Sequence, residues 1–203
     1  MTSQKERHLA DHEWVGGATP FLKTDRLFFR TWSETDTDLA LGLWGDPRVI
    51  KYIDARGKLS TDDVQSWLLQ EINSEKKYGV QYWPIFLKSN NHHVGCCGLR
   101  PYKPARDIFE IGFHIRAKHW GSGFTTEAAL GVMNYAFNVL SVSGLFAGHN
   151  PRNIASQHIL LKLGFRFTHD EYYAPTGLYH PSYMLTAEEY RHSQKRVERK
   201  KEK

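Results

Sequence analysis

A glycine-rich junction, Lys118-His119-Trp120-Gly121-Ser122-Gly123, decides the fold because it joins a predicted strand to a predicted helix. Residues 108–115 precede it and read Ile-Phe-Glu-Ile-Gly-Phe-His-Ile, an alternation that predicts a strand. Residues 125–140 follow it with the apolar spacing of an amphipathic helix. Glycines let the backbone turn tightly, and a helix N-terminus leaves N–H groups unpaired. Such a junction predicts a phosphate or pyrophosphate site, although a plain tight turn has the same pattern.

The strand before the junction has two different faces. Its odd positions, from Phe109 to Ile115, are all apolar, so we expect that face to be buried. Its even positions, from Ile108 to His114, include the charged Glu110. We therefore expect the even face to be open and Glu110 to be accessible.

Outward from the junction, the hydrophobic period predicts a mixed α/β domain. The order is strand, two helices, three strands, helix, strand, helix and two strands. The predicted strands cover residues 27–30, 82–87, 93–99, 108–115, 145–149, 165–173 and 179–185, and the helices cover 36–44, 60–72, 125–140 and 154–163. This order argues against a dinucleotide-binding fold, whose glycine turn follows the first strand of a repeated βαβ unit.

Length and charge define three segments. The 203 residues suit one domain, and we assign residues 1–20 to an N-terminal arm, 21–187 to the folded domain and 188–203 to a basic tail. From Arg191 to Lys203 the tail holds seven basic and two acidic residues, so it supplies the whole net charge of +5. Two readings stay open for this tail, a solvated helix end or a contact with nucleic acid or the ribosome.

The apolar runs and the cysteines of the sequence indicate in which cellular compartment the protein works. The chain lacks the apolar run of a membrane span, and its polar first residues lack the apolar core of a secretory signal. We expect a cytoplasmic protein with no membrane partner. Its two cysteines, Cys96 and Cys97, are adjacent, so a mutual disulfide is not expected and they give no metal signature.

The residues around the junction resemble a known family. The stretch Trp120-Gly121-Ser122-Gly123-Phe124-Thr125-Thr126-Glu127-Ala128 is similar to the coenzyme A-binding turn of the GNAT superfamily of N-acetyltransferases, which reads Trp-Gly-x-Gly-Tyr-Ala-Thr-Glu-Ala in its RimJ/RimL-like branch. Two further blocks match in order. They are Thr24-Asp25-Arg26-Leu27-Phe28-Phe29-Arg30 and the pair Asn150-Pro151-Arg152-Asn153-Ile154-Ala155-Ser156 with Leu161-Lys162-Leu163-Gly164-Phe165. Lys118 departs from the superfamily's Gln or Arg, and Leu161 from its usual Glu.

The resemblance implies a fold and a cofactor. The fold is the GNAT fold, an α/β (α+β) domain with a mixed, mostly antiparallel sheet of six to seven strands that is splayed at the cofactor site and flanked by about four helices. The cofactor is acetyl-CoA, with its pyrophosphate on the N–H groups of His119 to Phe124. No metal is implied. The residues implied in cofactor binding are Ile115, Lys118, His119, Trp120, Gly121, Ser122, Gly123, Phe124, Thr125, Asn153 and Ser156.

The resemblance also implies a mechanism, in which a primary amine attacks the thioester directly without a covalent enzyme intermediate. Glu110 is the leading candidate for the base that accepts the amine's proton, and His114 on the same face is an alternative. Ser156 is a candidate for protonating the leaving thiolate, or a plain polar helix residue. Asn153 is expected to contact the pantetheine arm, to cap its helix, or to do both.

The acceptor is left open between a protein N-terminus and a small-molecule amine. The candidate pocket residues are His114, His149, Tyr179 and His180. Two alternative functions remain, a non-catalytic sensor of acyl-CoA and a ribosome- or nucleic-acid-binding module that uses the basic tail. From the RimJ/RimL-like branch we further expect contact with a ribosome or ribosomal protein, and a homodimer.

Overall fold

One mixed sheet of eight strands organises the computed structural model, which describes residues 19–201. The strands are β1 (Leu22–Lys23), β2 (Leu27–Phe29), β3 (Tyr82–Leu87), β4 (His93–Lys103), β5 (Ile108–Ile115), β6 (Gly144–Gly148), β7 (Arg166–Tyr173) and β8 (Leu178–Thr186). The α-helices are α1 (Thr37–Trp44), α2 (Pro47–Ile50), α3 (Thr61–Tyr78), α4 (Phe124–Asn138), α5 (Ile154–Lys162) and α6 (Ala187–Lys201).

The strand order is β1-β2-β3-β4-β5-β6-β8-β7, and every neighbouring pair is antiparallel except β5 with β6. The predicted mixed, mostly antiparallel sheet is therefore confirmed. The eighth strand is the two-residue edge strand β1, too short to give a periodic signal. Two helices beyond the predicted four are α2, which begins at Pro47 behind the N-cap Asp46, and α6.

The sheet opens between its two parallel strands. Strands β5 and β6 pair only from Ile108, opposite Gly144, to Glu110, opposite Phe146. Beyond Glu110, β5 continues to Ile115 without β6 as a neighbour. The backbone groups on this side of β5 therefore face a gap, and the carboxylate of Glu110 lies at its inner end.

Helices cover the sheet on both faces, and each face has its own apolar core. One core contains Cys97 together with α4 residues, and the other contains Cys96 together with residues of α1 and α3. Both thiols are free and buried, and the two adjacent side chains point to opposite faces of the sheet. The Glu110 face is less open than expected, because α1 and α3 pack over part of it. Trp44 of α1 and Tyr82 of β3 lie against His114, and Glu110 itself is half-buried.

The C-terminal segment continues the fold directly. Helix α6 follows β8, and its Tyr190 is buried against the main core, stacked on Phe137 with 4.5 Å between ring centroids. The proposed tail from residue 188 thus begins on the domain surface, whereas residues 1–18 of the proposed arm lie outside the described residues. No helix in the described part of the chain combines the length and apolarity needed to cross a membrane.

Candidate active site

The glycine junction forms a sharp turn between β5 and α4. A 3₁₀ turn, Ala117–His119, leads into Gly121 and Gly123, whose φ angles are 76° and 78°. Side-chain-bearing residues rarely adopt these left-handed values, which explains why both positions are glycine. Gly123 is the N-cap of α4, so the positive end of a 15-residue helix faces the turn.

The donors of this turn are fewer than expected. The N–H of His119 donates to the Arg116 carbonyl at 2.9 Å, and that of Trp120 donates to the Ala117 carbonyl at 3.3 Å. This corrects the expectation that both would offer N–H groups to a pyrophosphate, because the 3₁₀ turn already uses them. The first helical hydrogen bond of α4 runs from the Glu127 N–H to the Gly123 carbonyl. The N–H groups of Phe124, Thr125 and Thr126 come before it and have no partner within the helix.

An ion pair between Arg26 and Glu127 holds the turn in place. The Glu127 carboxylate accepts hydrogen bonds from the Thr24 hydroxyl at 2.6 Å and from Arg26 Nε at 2.6 Å. Arg26 also donates through Nη1 to the Ser122 carbonyl at 3.1 Å, and its guanidinium lies 4.4 Å from the Phe124 ring centroid. These contacts were not predicted from the sequence. The signal that could have found them is that Thr24, Arg26 and Glu127 all lie in stretches that resemble the family.

A cavity of about 770 Å³ extends from the turn into the gap between β5 and β6. Ten candidate residues line it: Glu110, His114, Ile115, Trp120, Gly121, Thr125, His149, Asn153, Ser156 and His180. Five turn residues are absent from its wall, namely Lys118, His119, Ser122, Gly123 and Phe124. The placement of Tyr179 in the pocket was wrong, because it alternates with His180 on β8 and points to solvent, 67% exposed.

Glu110 lies in the cavity wall among charged and hydroxyl groups. Burial raises the pKa of its carboxyl, while the Arg100 charge and a hydrogen bond from Tyr82 oppose that rise. Arg100 is its direct cross-strand partner on β4. Tyr82 lies across Gly112, where an added Cβ would fall 2.3 Å from the Tyr82 hydroxyl oxygen. A glycine at this position thus lets the hydroxyl reach the carboxylate.

A buried carboxylate on α3 supports this arrangement. Glu71 is 1% exposed, accepts from the Tyr82 backbone N–H at 2.7 Å, and pairs with the Arg100 guanidinium. That guanidinium lies 4.1 Å from the centroid of the Tyr82 ring. Sequence reasoning missed Glu71, Arg100 and Tyr82. Glu71 carried a weak signal, since it is a charged residue one position before Ile72 on the apolar side of the predicted helix.

His114 shares the Glu110 face but has a different role. Its Nδ1 accepts a hydrogen bond from the Trp44 indole N–H at 3.0 Å. Burial lowers the pKa of His114 to about 3, with the Arg100 charge acting in the same direction. The lone pair that a base would use is therefore already engaged.

His149 and His180 lie on the opposite wall. Nδ1 of His149 and the Asn150 carbonyl are 2.8 Å apart, which fixes the proton on Nδ1. Nε2 of His180 is 2.8 Å from the Thr176 hydroxyl, and its ring centroid lies 4.8 Å from that of Tyr173 with the planes tilted by 35°. Burial lowers the pKa of both imidazoles. Both side chains are thus neutral hydrogen-bonding groups at neutral pH.

Helix α5 brings its own candidates to the cavity. The Asn153 side chain accepts from the Ser156 backbone N–H at 3.2 Å, so Asn153 caps α5 as predicted. Both residues also line the cavity, and Ser156 is half-buried there. Capping and ligand contact are therefore compatible for Asn153.

Comparisons with known proteins agree with this geometry. The family model described as an acetyltransferase (GNAT) domain matches residues 26–166. The chain is 29% identical over 146 residues to the uncharacterized N-acetyltransferase p20 of Bacillus licheniformis, covering 71% of this chain and 82% of that protein.

Solved structures share the fold. A GNAT-family acetyltransferase from Bacillus anthracis aligns with a TM-score of 0.71 at 22% identity, covering 82% of this chain and 98% of that one. The ribosomal L7/L12 alpha-N-protein acetyltransferase RimL aligns with a TM-score of 0.71 at 14% identity, covering 83% and 94%. The splayed sheet, the glycine turn and the family match together place this chain in the GNAT family, as an acetyltransferase.

Proposed function

We propose that this enzyme transfers an acetyl group from acetyl-CoA to a primary amine by direct attack, without a covalent enzyme intermediate. The observation that carries the proposal is the Glu110 carboxylate, which lies in the cavity wall where β5 and β6 separate. One end of the same cavity reaches the glycine turn at Gly121. A base and an anion-binding helix terminus thus share one continuous space.

The residues present fit acetyl-CoA. GNAT acetyltransferases generally use it, and when bound it supplies the acetyl thioester. Gly121 has open space around it, and the turn and first N–H groups of α4 form a site for a pyrophosphate. The unpaired edge of β5 up to Ile115 offers backbone groups for the amides of a pantetheine arm. Lys118 is exposed beside the turn and adds a positive charge.

Glu110 is the proposed base. Its pKa is raised towards neutral pH, where a general base works best. The carboxylate is therefore a better acceptor for the proton of an ammonium group. Ser156 is the proposed donor to the leaving thiolate, because its hydroxyl-bearing side chain lines the same cavity. His114 is not favoured as base, because Trp44 occupies its Nδ1.

The acceptor class includes protein N-termini and small amines. The likeness to RimL, at 14% identity, concerns the fold and does not choose between them. Contact with a ribosome or ribosomal protein, and a homodimer, stay predictions. A sensor without turnover is the competing function, and activity measurements distinguish it.

The test is an amine panel with acetyl-CoA, comprising peptides with free N-termini, polyamines, amino acids and aminoglycosides, read by release of free thiol. We expect thiol release that depends on an added amine, with Glu110→Gln and Ser156→Ala each lowering the rate. Failure to bind acetyl-CoA in calorimetry would overturn the proposal. Unchanged activity in both variants would overturn the residue roles while leaving the enzyme assignment.

A further inference from the structure

We infer that the acceptor carries a second positive charge, held by Glu171 on the wall of the cavity away from Glu110. This inference rests on the proposed function, since it names the class of amine that the same site would take. It follows from the charges that line the cavity and from the aromatic rings that line it with them.

The cations of the cavity wall are already paired. Arg48 forms a bidentate contact with Asp46, with Nη2 to Oδ2 at 2.7 Å and Nε to Oδ1 at 3.0 Å. Arg100 pairs with the buried Glu71. Each guanidinium therefore has its own carboxylate, and neither leaves a net positive charge for an anionic ligand.

The histidines add no positive charge. His114, His149 and His180 all line the cavity, and burial lowers the pKa of each below its ordinary value. Among the described residues that line the cavity, the charges left over are thus two carboxylates, Glu110 on β5 and Glu171 on β7.

Glu171 is held in place for such a role. The Tyr102 hydroxyl donates to its Oε2 at 2.6 Å, and His169 Nε2 lies 3.5 Å from the same oxygen. The Tyr102 ring is itself fixed by stacking on Phe146, with centroids 3.8 Å apart and planes at 5°. The carboxylate keeps acceptor capacity for a ligand, and its charge raises the pKa of Glu110, so the two groups interact across the cavity.

Aromatic rings line the space around the two carboxylates. They belong to Tyr52, Trp67, Tyr82, Tyr102, Phe146, Tyr172 and Tyr173. Ring faces attract cations and also pack against alkyl chains. The combination favours an alkylamine whose reacting amine lies at Glu110 and whose second cation lies at Glu171.

Three primary amines with a similar short alkyl chain test this inference, because their far ends carry different charges. They are n-butylamine with a neutral end, agmatine with a cationic guanidinium, and γ-aminobutyrate with an anionic carboxylate. The Glu171 side chain is 44% exposed, so water screens part of the attraction between its carboxylate and a cation. We therefore expect kcat/KM for agmatine to exceed that for n-butylamine about tenfold.

Glu171→Gln should lower kcat/KM for agmatine about tenfold more than that for n-butylamine, because n-butylamine has no second cation for Glu171 and responds only to the change in the Glu110 pKa. Glu188→Gln is the matched control, since Glu188 is an exposed carboxylate on α6 and does not line the cavity. It should leave all three values unchanged.

The outcomes separate the inference from the function on which it rests. Equal values for agmatine and n-butylamine, a preference for γ-aminobutyrate, or an equal loss on both amines in Glu171→Gln would overturn the second cation site and leave the acetyltransferase intact. No acetylation of any amine in the wider panel would overturn the proposed function, and this inference with it.

Discussion

Replacing Tyr82 with Phe removes one hydroxyl from the neighbourhood of the proposed base. Tyr82 is 3% exposed, and its ring lies against Gly112 and beneath the Arg100 guanidinium. Phe keeps the ring and both of these contacts. The lost group is the hydroxyl that donates to Glu110, whose hydrogen bond lowers the pKa of that carboxyl.

The size of the effect follows from that hydrogen bond. A hydrogen bond to a charged group contributes about 1.5–3 kcal/mol, and about 1.4 kcal/mol corresponds to one pH unit. Losing the Tyr82 donor should raise the pKa of Glu110. The base acts only when ionised, so the acid limb of the rate profile should move to higher pH by about one to two units.

The assay is kcat/KM for an amine substrate as a function of pH, compared between wild type and Tyr82→Phe. Tyr190→Phe is the control, because Tyr190 is 4% exposed but packs on Phe137 in the other core. We expect the control limb to coincide with wild type. A Tyr82→Phe limb that stays in place or moves to lower pH would refute the coupling between the hydroxyl and Glu110.

Three further outcomes follow from the same contacts. Gly112→Ala should clash with the Tyr82 ring and lower the free energy of unfolding by about 1–3 kcal/mol, the cost of overpacking, and an unchanged stability would contradict the contact. Glu110→Gln should unfold at a higher temperature than wild type near neutral pH, because only wild type then buries a charge. The difference should grow as pH rises from the ordinary glutamate pKa to the raised Glu110 pKa and then level off; a difference independent of pH would count against that burial. Arg26→Ala should raise KM for acetyl-CoA about tenfold with little change in kcat, as for the loss of one charged hydrogen bond, whereas Arg166→Ala, which breaks an exposed ion pair with Glu189, should not.

The sequence was sufficient for features that depend on local signals. The alternation of residues 108–115 and the glycine turn predicted the strand-to-helix junction, and both glycines do adopt left-handed φ angles. The N-cap role of Asn153 was likewise readable from its position before α5. These signals lie within a few residues of each other, so local physics determines them.

Long-range contacts could not be read in the same way. Glu71 reaches Arg100 across 29 positions, and Arg26 reaches Glu127 across 101. An alternating strand indicates that two faces differ, but not that helices cover part of the more polar one. Tyr179 and His180 are neighbours on a strand, so their side chains point in opposite directions. The sequence did not show which of the two faces the cavity, and the structure places His180 there and Tyr179 in solvent.

Following a labelled acetyl group through a single turnover shows whether Glu110 acts as the base in a direct transfer. Wild type and Glu110→Gln would be mixed with labelled acetyl-CoA and one of two amines, the first protonated at neutral pH and the second of low pKa and already neutral. We predict label in the amide product and none on the protein, with Glu110→Gln slow on the protonated amine and much less impaired on the neutral one. Label appearing on the protein before the product, or an equal rate for both enzymes on the protonated amine, would contradict this mechanism.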